Sequence, residues 1–159
     1  MEPTPKNPVE TALFPLKTEV VVRGYEIDVY GHVNNAVYLS YLEHARWQMQ
    51  LSGRLQPAEP GVYSVLRHIA LDYLTETLLG DTLSIVLWPR SVGTTSMVMG
   101  GAIRIVNTVS HDHRRGRIAL TATQVVTCVK KGLGKTPVPD AWRQVFPAND
   151  PGPEVPADF

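Results

Sequence analysis

The chain contains a single cysteine, Cys128, among its 159 residues. An intramolecular disulfide is therefore excluded, and a lone Cys inside a β-like run reads as a packing residue, not a reactive thiol. Net charge is absent too, because 15 Lys and Arg balance 15 Asp and Glu. That argues against general attraction to nucleic acid or to an anionic membrane, so any anionic ligand must be met by a local basic cluster. No run approaches the ~18 apolar residues of a membrane span, and the N-terminal stretch is too proline-rich for a signal peptide. A reducing cytoplasm is the expected location. No G-x-S-x-G element occurs, which removes the usual sign of a serine-hydrolase nucleophile.

What is present is a one-domain length with 43% hydrophobic residues, enough to build a core without covalent staples. Pro3, Pro5, Pro8 and Pro15 mark residues 1–15 as a flexible arm, and residues 147–159 read as a disordered tail. Between them, residues 16–146 form one domain. Leu16 to Arg23 alternates as a strand, with Leu16, Thr18, Val20 and Val22 on one face. A glycine-bounded loop follows, and Asn34 or Asn35 can cap a helix running to about Leu51. Val37, Tyr41, Ala45 and Met49 recur every four residues, and Tyr38 and Leu42 widen that stripe. From Val62 the period changes: Val62–Glu76, Thr82–Pro89, Thr95–Asn107 and Arg117–Lys131 are β-rich runs with short connections, hence antiparallel neighbours. A short turn or helix is expected around Asp140–Phe146. The expected class is α+β, a five-stranded antiparallel sheet around one long helix. Its open edges invite a second subunit.

The loop before the helix reads Tyr25-Glu26-Ile27-Asp28-Val29-Tyr30-Gly31-His32-Val33-Asn34-Asn35. A helix start presents unpaired N–H groups and partial positive charge, which suit a developing oxyanion. Asp28 lies just upstream, and Gly31 permits close backbone approach. A carboxylate beside an oxyanion cradle is the minimum for acyl transfer. The ordinary alternative is that Asp28 is a turn residue and Asn34-Asn35 a common helix entry.

The run D-V-Y-G-H-V-N-N-A-V-Y, followed by Leu42-Glu43-His44-Ala45-Arg46, resembles the 4-hydroxybenzoyl-CoA thioesterase family of hot-dog proteins. It is most similar to the branch with the pattern D-x-x-G-x-V-N-N-x-x-Y. A second family-like stretch runs from Leu71-Asp72-Tyr73-Leu74 through Leu79-Gly80-Asp81-Thr82-Leu83. The resemblance implies a hot-dog fold and hydrolysis of acyl-CoA or acyl-carrier-protein thioesters. Asp28 would be the nucleophile or general base, and the Asn35 N–H would polarise the carbonyl. Gly31, Val33 and Asn34 would shape the loop. Apart from the resemblance, the helix and strand faces offer Tyr38, Tyr41, Leu42, Trp47, Met49 and Met97 as lining for a substrate path, although residues of these types at such spacing more often form core. The resemblance also implies a homodimer, or a dimer of dimers, with sites at the subunit interface. A thioester suits such modest machinery, since its carbonyl is poorly stabilised and a thiolate leaves readily.

Other residues carry ordinary readings beside functional ones. His32 can assist the attacking water or the leaving thiolate, or simply pack in the loop. Glu43 has an ion-pair partner in Arg46, three residues along the helix. Asp72 reads as an anchoring carboxylate. His111-Asp112-His113 has metal-like spacing but lies among Arg114, Arg115 and Arg117 with no further ligand, so a solvated hairpin tip is expected. Neither a metal nor a cofactor is expected. Where some coenzyme A-specific relatives are basic, this chain has Val92-Gly93-Thr94-Thr95-Ser96, leaving Arg90 as the nearby basic contact. That keeps a carrier-protein substrate open. Two other readings compete: a hot-dog hydratase or dehydratase acting on 3-hydroxyacyl thioesters, and a module that binds acyl thioesters without turnover.

Overall fold

The computed structural model describes residues 15–51, 59–146 and 154–156. The elements run β1 (Leu16–Val21), a 3-10 helix (Gly24–Glu26), α1 (Asn35–Leu51), β2 (Val62–Tyr73), β3 (Thr82–Val92), β4 (Ser96–Asn107), β5 (Ile118–Lys130), β6 (Gly134–Lys135) and α2 (Asp140–Arg143). The strands form one antiparallel sheet in the order β1-β3-β4-β5-β2. The two-residue β6 pairs with β5 beyond the point where β4 ends. It is the one strand the sequence reading lacks. The expected arm and tail lie outside the described residues, except for Pro15 and residues 154–156.

The core lies between α1 and one face of the sheet. Tyr38, Tyr41, Leu42, Ala45 and Met49 are the buried residues of α1, so the stripe read from the four-residue spacing is the buried one. They meet Leu83, Ile85 and Leu87 from β3, Met97, Met99, Ile103 and Ile105 from β4, and Leu120, Val126 and Cys128 from β5. Each large side chain buried this way stabilises the fold by roughly 1.5–3 kcal/mol. Cys128 is fully buried, and burial pushes its thiol up to about 11.

The other sheet face is covered locally. Val86, Trp88 and Ala102 form a small buried cluster against which Val155 packs. Trp88 lies over Gly100, where any Cβ would fall inside the indole. The next residue, Gly101, serves the opposite face: a Cβ there would meet Leu42 at 3.2 Å, Leu87 at 3.3 Å and the Gln124 Nε2 at 3.1 Å. Adjacent glycines thus let side chains settle onto β4 from both sides.

In the loop from His111 to Arg117 the residues His111, His113, Arg115 and Arg117 are exposed, as a solvated tip should be, and Arg114 alone is buried. Arg114 is 3% exposed, and its guanidinium contacts Asp81 at 2.5 Å and Asp112 at 2.7 Å. Hydrogen bonds from Arg114 and Ser110 hold the Asp112 carboxyl well below the usual carboxylate range. The pair joins the β4–β5 loop to the β2–β3 connection, because Asp81 also accepts the Leu78 N–H and Arg114 reaches the Glu76 carbonyl. Arg114 is therefore a structural cation and is not available to a ligand phosphate.

Gly100→Ala should destabilise the protein by about 1–3 kcal/mol through overpacking against Trp88. Urea unfolding checks this, and the penalty should largely disappear in a Trp88→Ala background, where the methyl group has room.

Candidate active site

The chain leaves β1 through Val22, whose N–H donates to the Asp81 carbonyl, and enters the 3-10 helix. There the Glu26 carboxylate, 4% exposed, accepts the backbone N–H of Arg23 at 2.7 Å, the Arg23 guanidinium at 2.6 and 3.1 Å, and the Tyr41 hydroxyl at 2.7 Å. Burial pushes the Glu26 carboxyl up, but the hydrogen bonds from Arg23 and Tyr41 outweigh it and leave the group below its ordinary range. The same arrangement pushes the Tyr41 hydroxyl far up. Because Tyr41 belongs to α1 and the Glu26 carbonyl accepts the Asn34 N–H, this cluster sets where the loop meets the helix.

Within the loop, Asp28 is half-buried and folded onto its own backbone. One of its carboxylate oxygens accepts the N–H groups of Tyr30, at 2.8 Å, and His32, at 3.2 Å. The Asp28 N–H donates to the His32 carbonyl at 2.8 Å, and the Gly31 N–H to the Asp28 carbonyl at 3.1 Å. This closed turn requires a positive φ of 82° at Gly31, where no neighbour crowds the Cβ position. Gly31 is needed for its backbone angle, and no approaching group dictates its size. The second Asp28 oxygen has no partner among the described residues.

Asn34 caps α1: its side-chain oxygen accepts the Ala36 N–H at 2.9 Å and its carbonyl the Val37 N–H at 2.9 Å. The Asn35 N–H enters no hydrogen bond with a described residue. It is an orphan donor of the kind every helix start leaves. Its carbonyl accepts the Tyr73 hydroxyl at 3.1 Å, which ties the end of β2 to the start of α1.

Asp28, His32, Val33, Asn35, Tyr38, Tyr73, Leu74, Thr75 and Glu76 line one cavity of about 250 Å³. Tyr38 is buried, bonds the Thr77 hydroxyl at 2.7 Å and meets both Tyr41 and Tyr73 edge-on. Val33 is buried, and its N–H donates to the Thr77 carbonyl at 2.9 Å. The structure therefore brings Asp28, His32, Val33, Asn35 and Tyr38 together, with Gly31 and Asn34 shaping the backbone between them.

Arg90 is not brought to this cavity. It donates to the Thr123 hydroxyl at 2.9 Å. Along β3 it follows Val86 and Trp88, on the sheet face opposite Leu83, Ile85 and Leu87. Asp72 is exposed and does not line the cavity. Glu43 makes no ion pair with Arg46, whose guanidinium instead hydrogen-bonds Gln124. The sequence reading missed Tyr73, Leu74, Thr75 and Glu76 as cavity walls. The one signal for them was the second family-like stretch, in which attention fell on the carboxylate at 72. Among the described residues, no group of three or more His, Cys, Asp or Glu is placed to hold a metal ion.

Comparison with known proteins gives a consistent picture. A model of the thioesterase-like superfamily matches residues 22–146. The long-chain acyl-CoA thioesterase FadM of Escherichia coli is 40% identical over 72 residues, which are 44% of this chain and 54% of that protein. The match therefore spans about half the length of that curated relative. A thioesterase from Thermus thermophilus, solved with coenzyme A and zinc, is 30% identical with a TM-score of 0.68, covering 85% of this chain and 99% of that one. A thioesterase-superfamily structure from a Jannaschia species is 26% identical with a TM-score of 0.71, covering 82% and 79%.

Glu26→Gln should lower stability at pH 7 by about 1.5–3 kcal/mol, the scale for charge-assisted hydrogen bonds. The folded carboxyl titrates below its ordinary 4.5, so its contribution is complete above that pH and is lost as pH falls through the folded value. Melting curves from pH 7 to pH 3 should show a shallower acid limb in the variant than in the wild type.

Proposed function

The chain belongs to the thioesterase-like superfamily with a hot-dog fold, and on that premise we propose that it hydrolyses acyl thioesters to a carboxylic acid and a thiol. One observation carries this reading. The Asp28 carboxylate is pinned through one oxygen by the amides of Tyr30 and His32, and Asp28 lines one cavity with Asn35, whose N–H has no partner among the described residues. A thioester carbonyl there would receive a hydrogen bond from the Asn35 N–H at the positive end of α1, and its carbon would face Asp28. Asp28 either attacks that carbon, giving a mixed anhydride that water then hydrolyses to the free acid, or deprotonates a water that attacks it. The C–S bond breaks and the thiolate takes up a proton. His32, exposed and lining the same cavity with its imidazole free of hydrogen bonds among the described residues, would assist that transfer.

Acyl-CoA is the proposed substrate class, supported by the relatives named for acyl-CoA hydrolysis or solved with coenzyme A. An acyl-carrier protein is the alternative carrier, because among the described residues neither Lys nor Arg lines the Asp28 cavity to hold a nucleotide phosphate. A cytoplasmic location fits the single buried thiol, and among the described residues no helix is long and apolar enough to cross a membrane.

The proposed assembly is a homodimer joined along β2. That strand ends the sheet, so its outer row of backbone groups is unpaired by any strand among the described residues. Tyr63, Val65, Leu66 and Tyr73 stand 49%, 38%, 40% and 48% exposed along it. Antiparallel pairing about the strand's midpoint sets Tyr73 of one protomer near Tyr63 of its partner. The Asp28 cavity of one subunit then abuts the space beneath the second half of the partner's α1. The family resemblance adds pairing of two such dimers into a tetramer, which light scattering distinguishes.

Asp28→Asn keeps the anchored oxygen as an acceptor and removes the charge. It should fold normally and lose at least ~100-fold in kcat for thiol release from acyl-CoA substrates. Near-wild-type turnover with a normal melting curve would remove Asp28 from the mechanism. Free thiol as product also separates hydrolysis from hydration, which releases none.

A further inference from the structure

A second cavity, of about 470 Å³, lies beneath the C-terminal half of α1, within the usual size range of small-molecule pockets. Its walls are largely apolar, with Trp47, Met49, Met97, Met99, Val126 and Phe146 among them. Two charged side chains share the lining, Glu43 and Arg46. Arg46 is half-buried, and its guanidinium donates one hydrogen bond to the Gln124 Oε1. Its remaining N–H groups have no partner among the described residues. Gln124 is itself fully buried, and its Nε2 lacks an acceptor. Burial lowers the Arg46 pKa from its ordinary value, while the charge of Glu43 opposes that change.

A guanidinium with spare donors on an apolar wall is a poor neighbour for a plain hydrocarbon. An alkyl chain filling this space would strip water from Arg46 and return no hydrogen bond, a cost of the kind that makes sites reject analogues lacking a polar group. An acyl chain bearing an oxygen at that depth replaces the lost water. Glu43 bears on which oxygen: a carboxylate would be repelled by it, whereas a ketone accepts from Arg46 alone. A hydroxyl can accept from Arg46 and donate to Glu43.

Resting on the hydrolase reading and on β2 pairing, we infer that this chamber receives the distal end of the acyl chain. Arg46, held by Gln124, then selects chains with a neutral hydroxyl or keto oxygen far from the thioester. The thioester sits at Asp28 of one protomer, and the chain crosses the β2 seam to Arg46 of the partner subunit. Arg46 acts here as a specificity residue and takes no part in breaking the C–S bond.

The test compares medium-chain acyl-CoA substrates of matched length, with and without a terminal hydroxyl, in the wild type and in Arg46→Leu. Wild type should favour the hydroxylated chain in kcat/KM by about 10-fold or more, the scale of one charge-assisted hydrogen bond. Arg46→Leu should erase that preference by slowing the hydroxylated chain and accelerating the plain one. A wild type that favours the plain chain or shows no preference overturns the inference, as does a preference that survives in Arg46→Leu. A terminal carboxylate that outperforms the hydroxyl overturns the assignment of a neutral oxygen. If Arg46→Leu does not fold, Arg46→Met, which keeps much of the stem and removes every donor, is read the same way. Absence of thiol release from every substrate would instead defeat the hydrolase reading itself, so the two failures are distinct.

Discussion

Burying a carboxylate is unfavourable unless donors replace the water it loses, and Glu26 is buried where β1, the following loop and α1 converge. It is answered by the backbone and guanidinium of Arg23 and by the hydroxyl of Tyr41. Those donors come from both sides of the loop that carries Asp28. The Glu26 carbonyl also accepts the Asn34 N–H, so the capping residue of α1 is fixed by the same 3-10 turn. The orientation of the helix start, and with it the direction of the Asn35 N–H, follows from satisfying one buried charge. Removing a single donor leaves that charge partly uncompensated. The cluster thus holds the geometry of a cavity it does not touch.

The opposite wall of that cavity is held by an ion pair buried at both ends. Arg114 on Asp81 fixes the connection after β2, whose Thr77 carbonyl accepts the Val33 N–H and whose hydroxyl pairs with Tyr38. Two charged clusters at the two sides of one loop therefore bracket a carboxylate that stays partly solvated. The division of labour is physically reasonable. Fully buried ion pairs are rigid but chemically idle, while an acid that must meet a carbonyl or a water needs one unencumbered oxygen. Asp28 has an intermediate environment, one oxygen committed to backbone amides and one free.

Much of this was legible from residue order. The four-residue recurrence from Val37 to Met49 can be satisfied only by a helix with one buried stripe, and β-branched runs with short connections leave little besides an antiparallel sheet. Asp28, Gly31 and the Asn pair could be placed because their roles are local: a turn, a positive φ and a cap. Arg114 and Glu26 were not legible, because a buried ion pair and a solvated one have the same composition and differ only in what folds over them. Arg90 illustrates a different difficulty. It was placed by nearness in sequence to a family position, whereas a bulge between Pro89 and Ser91 interrupts β3 there and the Arg90 guanidinium bonds Thr123, the β5 partner of Gly100. Tyr73 ends β2 and bonds the Asn35 carbonyl, and the loop after it is held by the Ala119 carbonyl of β5, contacts that no short window of sequence contains.

Of the three tryptophans, Trp88 and Trp142 are buried at 7% and 4% exposure, while Trp47 is 54% exposed and lines the larger chamber. The two buried indoles sit in fixed packing and contribute a steady fluorescence background. Trp47 alone changes surroundings when an acyl chain displaces water beside it. The chain therefore carries its own optical probe, one whose emission reports filling of the chamber separately from any bond broken at Asp28.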